Sequence, residues 1–317
     1  MTATLSEDAR PTGRAQVDPS TRIERLADAA GKRVIDPDRD IPGALGDGQI
    51  LPDDLLSLCD LGLDLTAEQK AKLSREEVAS MLDMGARMES ILNTGFSMMI
   101  AQAPDLTDPR VRFLLHEIGE ETRHQRMFIR LIDQIRPTAA DPMRGGAMMR
   151  RIERLFINRQ IAKPAFFHVL VLAGEEIPDL LQRRAVEHEG TDPFLREVNR
   201  YHRSEEARHL SYARTVFPEL WLSAGPVERQ WVRHVGPRVI SQMFSFFVHP
   251  GVYASIGLPA WPTWKQVNAS PTRLQMRYEA TRPILQVLLD ADVFDGKAVP
   301  SGWRELCHVD EAGRPLA

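Results

Sequence analysis

VRFLLHEIGEETRHQRMFIRLI (residues 111–132) and LREVNRYHRSEEARHLSYARTVF (residues 195–217) are the two stretches that decide how this chain folds. On a wheel turning about 100° per residue, with Glu121 at zero, Leu114, Gln125, Phe128 and Ile132 fall on its side, with Ile118 close by. Arg112, Arg123, Arg126 and Arg130 fall on the far side. Glu121 therefore points at a core, and His124, one turn on, shares that face as Glu-x-x-His. The second stretch repeats the situation. Around Glu206 gather Leu195, Asn199, His202, Leu210, Ala213 and Phe217, with His209 nearby and Ser204 and Arg208 opposite. The pattern His202-x-x-x-Glu206-x-x-His209 puts three potential ligands on one inward stripe.

Working outward, residues 75–102 carry a lone Glu89 among Val78, Leu82, Gly85, Leu92, Phe96 and Ile100, with Arg87 on the opposite face. The segment AFFHVLVLAGEEIPDLL (165–181) holds Glu175 and Glu176 in its apolar middle. Turning Glu175 inward leaves Arg184 outside, whereas turning Glu176 inward pulls Arg183 toward the same face. That favours Glu175 and leaves Glu176 as its rival.

A buried, unpaired carboxylate costs several kcal/mol even after relaxation, and four facing one core also repel each other. The apolar faces contain no lysine, and the arginines lie outside. Two divalent cations would balance four glutamates, with the histidines ligating as neutral imidazoles. Carboxylate-bridged di-iron bundles use one Glu from each of two helices and Glu-x-x-His from each of two others. The order here is Glu89, Glu121/His124, Glu175, Glu206/His209, at intervals of 32, 54 and 31 residues. The outer intervals suit antiparallel returns, and the middle one leaves room for a crossover.

Composition agrees with a water-soluble all-α chain. Of 317 residues, 43% are hydrophobic and 26% charged, and 40 Lys+Arg against 44 Asp+Glu give a net charge of −4. That balance offers no global basic field for nucleic acid. The richest apolar run, Ala165–Ala173, is far shorter than the ~20 residues that span a bilayer. Residues 1–20 are polar, without the apolar segment of a secretory signal, so the expected compartment is the cytoplasm. Cys59 and Cys307 are isolated, which excludes a disulfide framework or thiolate zinc site. Helical spacing predicts segments at 75–102, 108–136, 145–187, 191–217 and 225–248, and a last helix around 272–291. Asp108-Pro109 and Asp192-Pro193 mark helix starts, Pro164 and Pro178 start or loosen the third segment, and Pro218 marks a boundary. No internal repeat is evident, 249–273 reads as loop, and the C-terminus as a polar tail.

Other polar residues read more plainly. Glu117 is a partner of the ligands or an ordinary polar position, and Glu120 the latter. His168 is a satisfied core histidine, and His116 belongs to the surface. Met81, Met84, Met88, Met98 and Met99 fill core gaps. Met243–Phe247 forms an aromatic core run or walls a substrate pocket, and the arginines between 112 and 130 form a solvated face.

Glu89, Glu121-x-x-His124, Glu175 and His202-x-x-x-Glu206-x-x-His209, in that order, resemble the p-aminobenzoate N-oxygenases of the AurF type, which are ferritin-like di-iron enzymes. His202, four residues before the last glutamate, is the feature that sets this family apart from other ferritin-like di-iron proteins. The resemblance implies seven metal ligands: Glu89, Glu121, His124, Glu175, His202, Glu206 and His209. It implies a ferritin-like bundle over residues 75–317 with additional C-terminal helices, preceded by a tail and irregular lead-in at 1–74. It further implies two irons, with manganese able to use the same donors, and oxidation of an arylamine by O₂ to hydroxylamine, nitroso or nitro products. His202, as a third nitrogen donor at one iron, is expected to tune the oxidant toward an electron-rich nitrogen. With no flavin, nicotinamide or iron–sulfur motif in the chain, electrons are expected from a separate reductase or ferredoxin, and the enzyme is expected to be a homodimer. The same ligands would also serve a di-iron hydroxylase or desaturase acting on carbon, or a ferritin-like metal-binding protein without organic substrate.

Overall fold

The computed structural model describes residues 18–32, 34–142, 144 and 147–316; the polar start at 1–17 lies outside the described residues. Four long helices form the kernel: Ala67–Ala101, Pro109–Ile135, Pro164–Glu187 and Pro193–Ser223. With a helix Pro19–Lys32 before them, they are α1 (Pro19–Lys32) and α2 to α5 in chain order. The fold is an all-α, ferritin-like helical bundle, and the described residues contain no strand beyond a single bridge between Val309 and Pro315.

Local chemistry sets where the rods begin. Asp108 and Asp192 accept from the backbone N–H groups of Arg110 and Leu195, and a proline follows each as the first helical residue. Thr66 and Gln69 cap α2 reciprocally, each side chain taking the other's backbone N–H. This capping box starts α2 eight residues before the position that apolar spacing alone suggests. The third expected segment is two helices, Ala147–Ile161 and α4, because Pro164 opens α4. Pro218 does not end α5, which continues through it to Ser223.

α2 and α3 pack as one antiparallel pair and α4 and α5 as another, the two pairs facing each other across the core. The expected lead-in carries an unforeseen element: α1 buries Ile23, Ala27 and Ala30 and lies against α3 and α5. Two further corrections fall in the C-terminal third. The loop-like region holds short helices at Gly251–Ser255 and Ala260–Asn268. The polar tail contains a helix, Ser301–Cys307, whose Trp303 is fully buried and donates its indole N–H to Val232 O at 3.1 Å. Helix α6 (Gly236–Phe246) and helix α7 (Pro271–Asp290) complete this third, with α7 laid along α4. Among the described residues, no helix is long and apolar enough to cross a membrane.

The two pairs approach closely where α2 presents Gly95 to Phe167 of α4. A Cβ at Gly95 would collide with the Phe167 ring, which itself packs edge-on against Phe96, centroids 5.8 Å apart. Gly95→Ala is therefore expected to cost about 1–3 kcal/mol, read as a clear fall in thermal midpoint.

Candidate metal centre

Each central helix delivers its acid to one place because the apolar stripe around that acid faces the core. Glu89 of α2, Glu121 and His124 of α3, Glu175 of α4, and His202, Glu206 and His209 of α5 are all buried. They form two donor groups, Glu89–His124–His202–Glu206 and Glu121–Glu175–Glu206–His209, whose candidate ligand atoms all lie within 4.8 Å of one another inside each group. Glu206 is common to both groups. All seven side chains singled out in the sequence thus meet in one cluster, and each group has the mixed oxygen and nitrogen donors that suit a first-row transition metal.

The choice between adjacent acids is visible in their partners. Glu175 shares a hydrogen bond with Glu206. Glu176 turns to Arg214 and forms an ion pair with it at the edge of the bundle.

The two Glu-x-x-His histidines are placed alike. His124 aims Nδ1 inward, 3.2 Å from Glu206 and 3.4 Å from Glu121, and His209 aims Nδ1 inward, 2.9 Å from Glu206 and 3.2 Å from Glu121. Their outer nitrogens are held from the opposite pair of helices. His124 Nε2 meets Glu205 at 2.9 Å, and His209 Nε2 meets Glu120 at 2.8 Å. The Glu120 carboxylate also accepts from Arg208 at 2.8 Å, and Arg123 lies 3.7 Å from Glu205. Glu120 is thus no ordinary polar position, and Arg123 and Arg208 are not merely solvated. Sequence reasoning missed Glu120 and Glu205, although the signal stands in the chain: EETRH (120–124) and EEARH (205–209) are the same motif, Glu-Glu-x-Arg-His, twice.

His202 is held differently. Its Nδ1–H donates to Gln182 Oε1 at 2.9 Å, leaving Nε2 to face Glu206 at 3.2 Å and Glu89 at 3.4 Å. Burial and the neighbouring His124 push its pKa down to about 4, so the imidazole is neutral with its lone pair turned into the cluster. Phe128 covers one ring face, 5.0 Å between centroids. His168 stays outside the cluster. It donates Nδ1–H to Pro164 O at 2.9 Å and, with burial pushing it to about 4, is a neutral core histidine.

The charge balance of the protein alone is made with protons. Burial and repulsion from Glu121 and Glu206 hold Glu89 well above the usual carboxyl range, and burial with the Glu206 charge does the same for Glu175. Against the cost of their burial, carboxylates hold His124 and His209 well above the usual histidine range, hence cationic. Glu206 is held well below its usual range despite burial, chiefly by the His209 charge. Buried Glu89 Oε2 has no hydrogen-bond partner. Four acids, three imidazoles and an orphaned inward oxygen suit a pair of divalent cations. One turn below Glu121, Glu117 has both oxygens buried and unpartnered, and burial pushes it up to about 8.

A largely apolar cavity reaches the cluster. The cavity, of about 120 Å³, ends on Glu89, Glu175 and His202 and runs outward between Met81, Leu82, Leu181 and Phe247.

The family model described as P-aminobenzoate N-oxygenase AurF matches residues 17–292. Among curated proteins, the uncharacterized protein Mb0909 of Mycobacterium bovis and the uncharacterized protein Rv0885 of Mycobacterium tuberculosis are each 27% identical over 184 residues, 58% of this chain and 53% of theirs. The match thus spans about half the length of those relatives.

Because ligating imidazoles must be neutral and ligating carboxylates ionised, filling the cluster expels its protons. Two divalent ions per chain are expected to bind with net proton release in weakly buffered solution. Affinity rises with pH, since the raised pKa values of His124, His209, Glu89 and Glu175 make protons competitors that acid favours. Glu120→Gln and Glu205→Gln are each expected to weaken binding about 10–100-fold, measured by competition with a chromophoric chelator.

Proposed function

The chain belongs to the p-aminobenzoate N-oxygenase AurF family, a di-iron oxygenase family, and from that premise we propose that it N-oxygenates an arylamine with O₂. In this reading Glu89, Glu121, His124, Glu175, His202, Glu206 and His209 hold two irons, Glu206 serving both. The observation that carries it is His202. A third histidine joins the cluster on the side where the cavity arrives, with its inward nitrogen deprotonated and its ring fixed by Gln182 and Phe128.

The metal pair, when bound, supplies the electrons that activate O₂. The chain's own residues do the rest. His124 and His209 keep their inward nitrogens on target because Glu205 and Glu120 grip the outer ones. Leu82, Leu92, Phe128 and Phe247 wall the approach and exclude water from an oxidising site. Gln182 fixes the His202 tautomer, since its carbonyl oxygen accepts only from a protonated Nδ1. The narrow apolar approach suits a flat aromatic amine presented nitrogen-first. Electrons come in this reading from a separate reductase or ferredoxin, and the working unit is a homodimer.

The test is turnover by iron-loaded, chemically reduced protein given O₂ and a panel of arylamines. Hydroxylamino, nitroso or nitro products are expected. Hydroxylated or desaturated carbon products would replace the reading with carbon oxidation, and ferric mineral without organic product would replace it with storage. His202→Ala is expected to lower N-oxidised product by at least about tenfold. Unchanged metal content together with unchanged product would remove His202 from the chemistry.

A further inference from the structure

The cavity has a second pole that the metal cluster does not use. At its outer part lie Ser57, Glu77, Thr272 and Arg273, near the exposed Cys59 and Asp54. Arg273 is 6% exposed. Its guanidinium lies over the Phe244 ring, 4.3 Å from centroid, and donates from Nη2 to Phe244 O at 3.1 Å. Nε is buried without a partner, and among the described residues Arg273 forms no ion pair. A buried cation with an open donor is costly until a partner fills it.

Glu77 acts on Arg273 through space but supplies only part of a counter-charge. Its carboxyl is engaged by the backbone N–H and hydroxyl of Ser57, the N–H at 3.1 Å, and burial pushes it up to about 7, so half of it is neutral near physiological pH.

The distance between the poles is set by α2. Glu77 and Glu89 both line the cavity and stand twelve residues apart on this one helix, or about 18 Å along its axis. That axial span exceeds the length of a single aminobenzoate. Between the poles the lining is apolar: Met81, Leu82, Phe128, Leu181 and Met276.

We propose that Arg273 anchors an anion and that the substrate is an amphiphilic acid longer than one ring. Its carboxylate sits on Arg273, its apolar body lies between Met81 and Met276, and its reacting end meets Glu89, Glu175 and His202. This deepens the oxygenase reading and rests on it for what happens at the reacting end. Binding at Arg273 does not depend on which atom is oxidised.

Calorimetry on protein loaded with redox-inert zinc separates the two. The probes are 4-(4-aminophenyl)butanoate and decanoate, each beside its methyl ester, and 4-aminobenzoate. Each acid is expected to bind at least about tenfold tighter than its ester, and 4-(4-aminophenyl)butanoate tighter than 4-aminobenzoate. Arg273→Met is expected to erase the acid preference while leaving ester affinity in place, and Arg273→Lys to keep part of it. Equal binding of acid and ester by the unmodified protein overturns the proposal without need of any variant. So does an acid preference that survives Arg273→Met. Acid preference with no amine oxidised by the iron-loaded protein upholds the anchor and overturns N-oxygenation. Amine oxidation without acid preference does the reverse.

Discussion

Mutual repulsion among four carboxylates sealed inside a helical bundle governs this molecule. Glu89, Glu121, Glu175 and Glu206 arrive from four different helices at one buried point, where, among the described residues, no lysine or arginine pairs with them. The protein alone meets the constraint by protonating two acids and keeping two imidazoles cationic. A pair of divalent cations would meet the same constraint without those protons. The rest of the bundle holds those four acids where nothing else would keep them.

Much of this was legible in the chain because an acid within an apolar helical stripe is a contradiction that periodicity exposes. Glu89, Glu121 and Glu206 could be placed inward from their neighbours alone. Glu175 could be preferred to Glu176 from where each would send its arginines, and the ion pair of Glu176 with Arg214 shows the physical reason. What the wheel could not show was Glu120 and Glu205. Each sits one residue from an inward acid, hence about 100° around the helix, which reads as flank. Their burial depends on the second pair of helices arriving alongside. Comparing EETRH with EEARH would have found them, since one motif on two facing helices invites reciprocal contacts.

The ends of elements were harder to read than their middles. The reciprocal Thr66–Gln69 cap starts α2 before its apolar stripe begins. α5 passes through Pro218 because one missing backbone donor in a long, well-packed helix is tolerable. α1 and the helix around Trp303 are short and mixed in character, and only their docking partners make them stable. Arg273 and Glu77 are 196 residues apart in the chain, so no local pattern could announce that they line the same cavity.

The crossed grip on the outer imidazole nitrogens ties the halves of the bundle together. Glu120 belongs to the first antiparallel pair and holds a histidine of the second, while Glu205 does the converse. The two donor groups are coupled through these contacts, and Glu206 is shared besides. A side chain displaced in one donor group therefore pulls on its partner in the other, and the cluster keeps its shape as one unit.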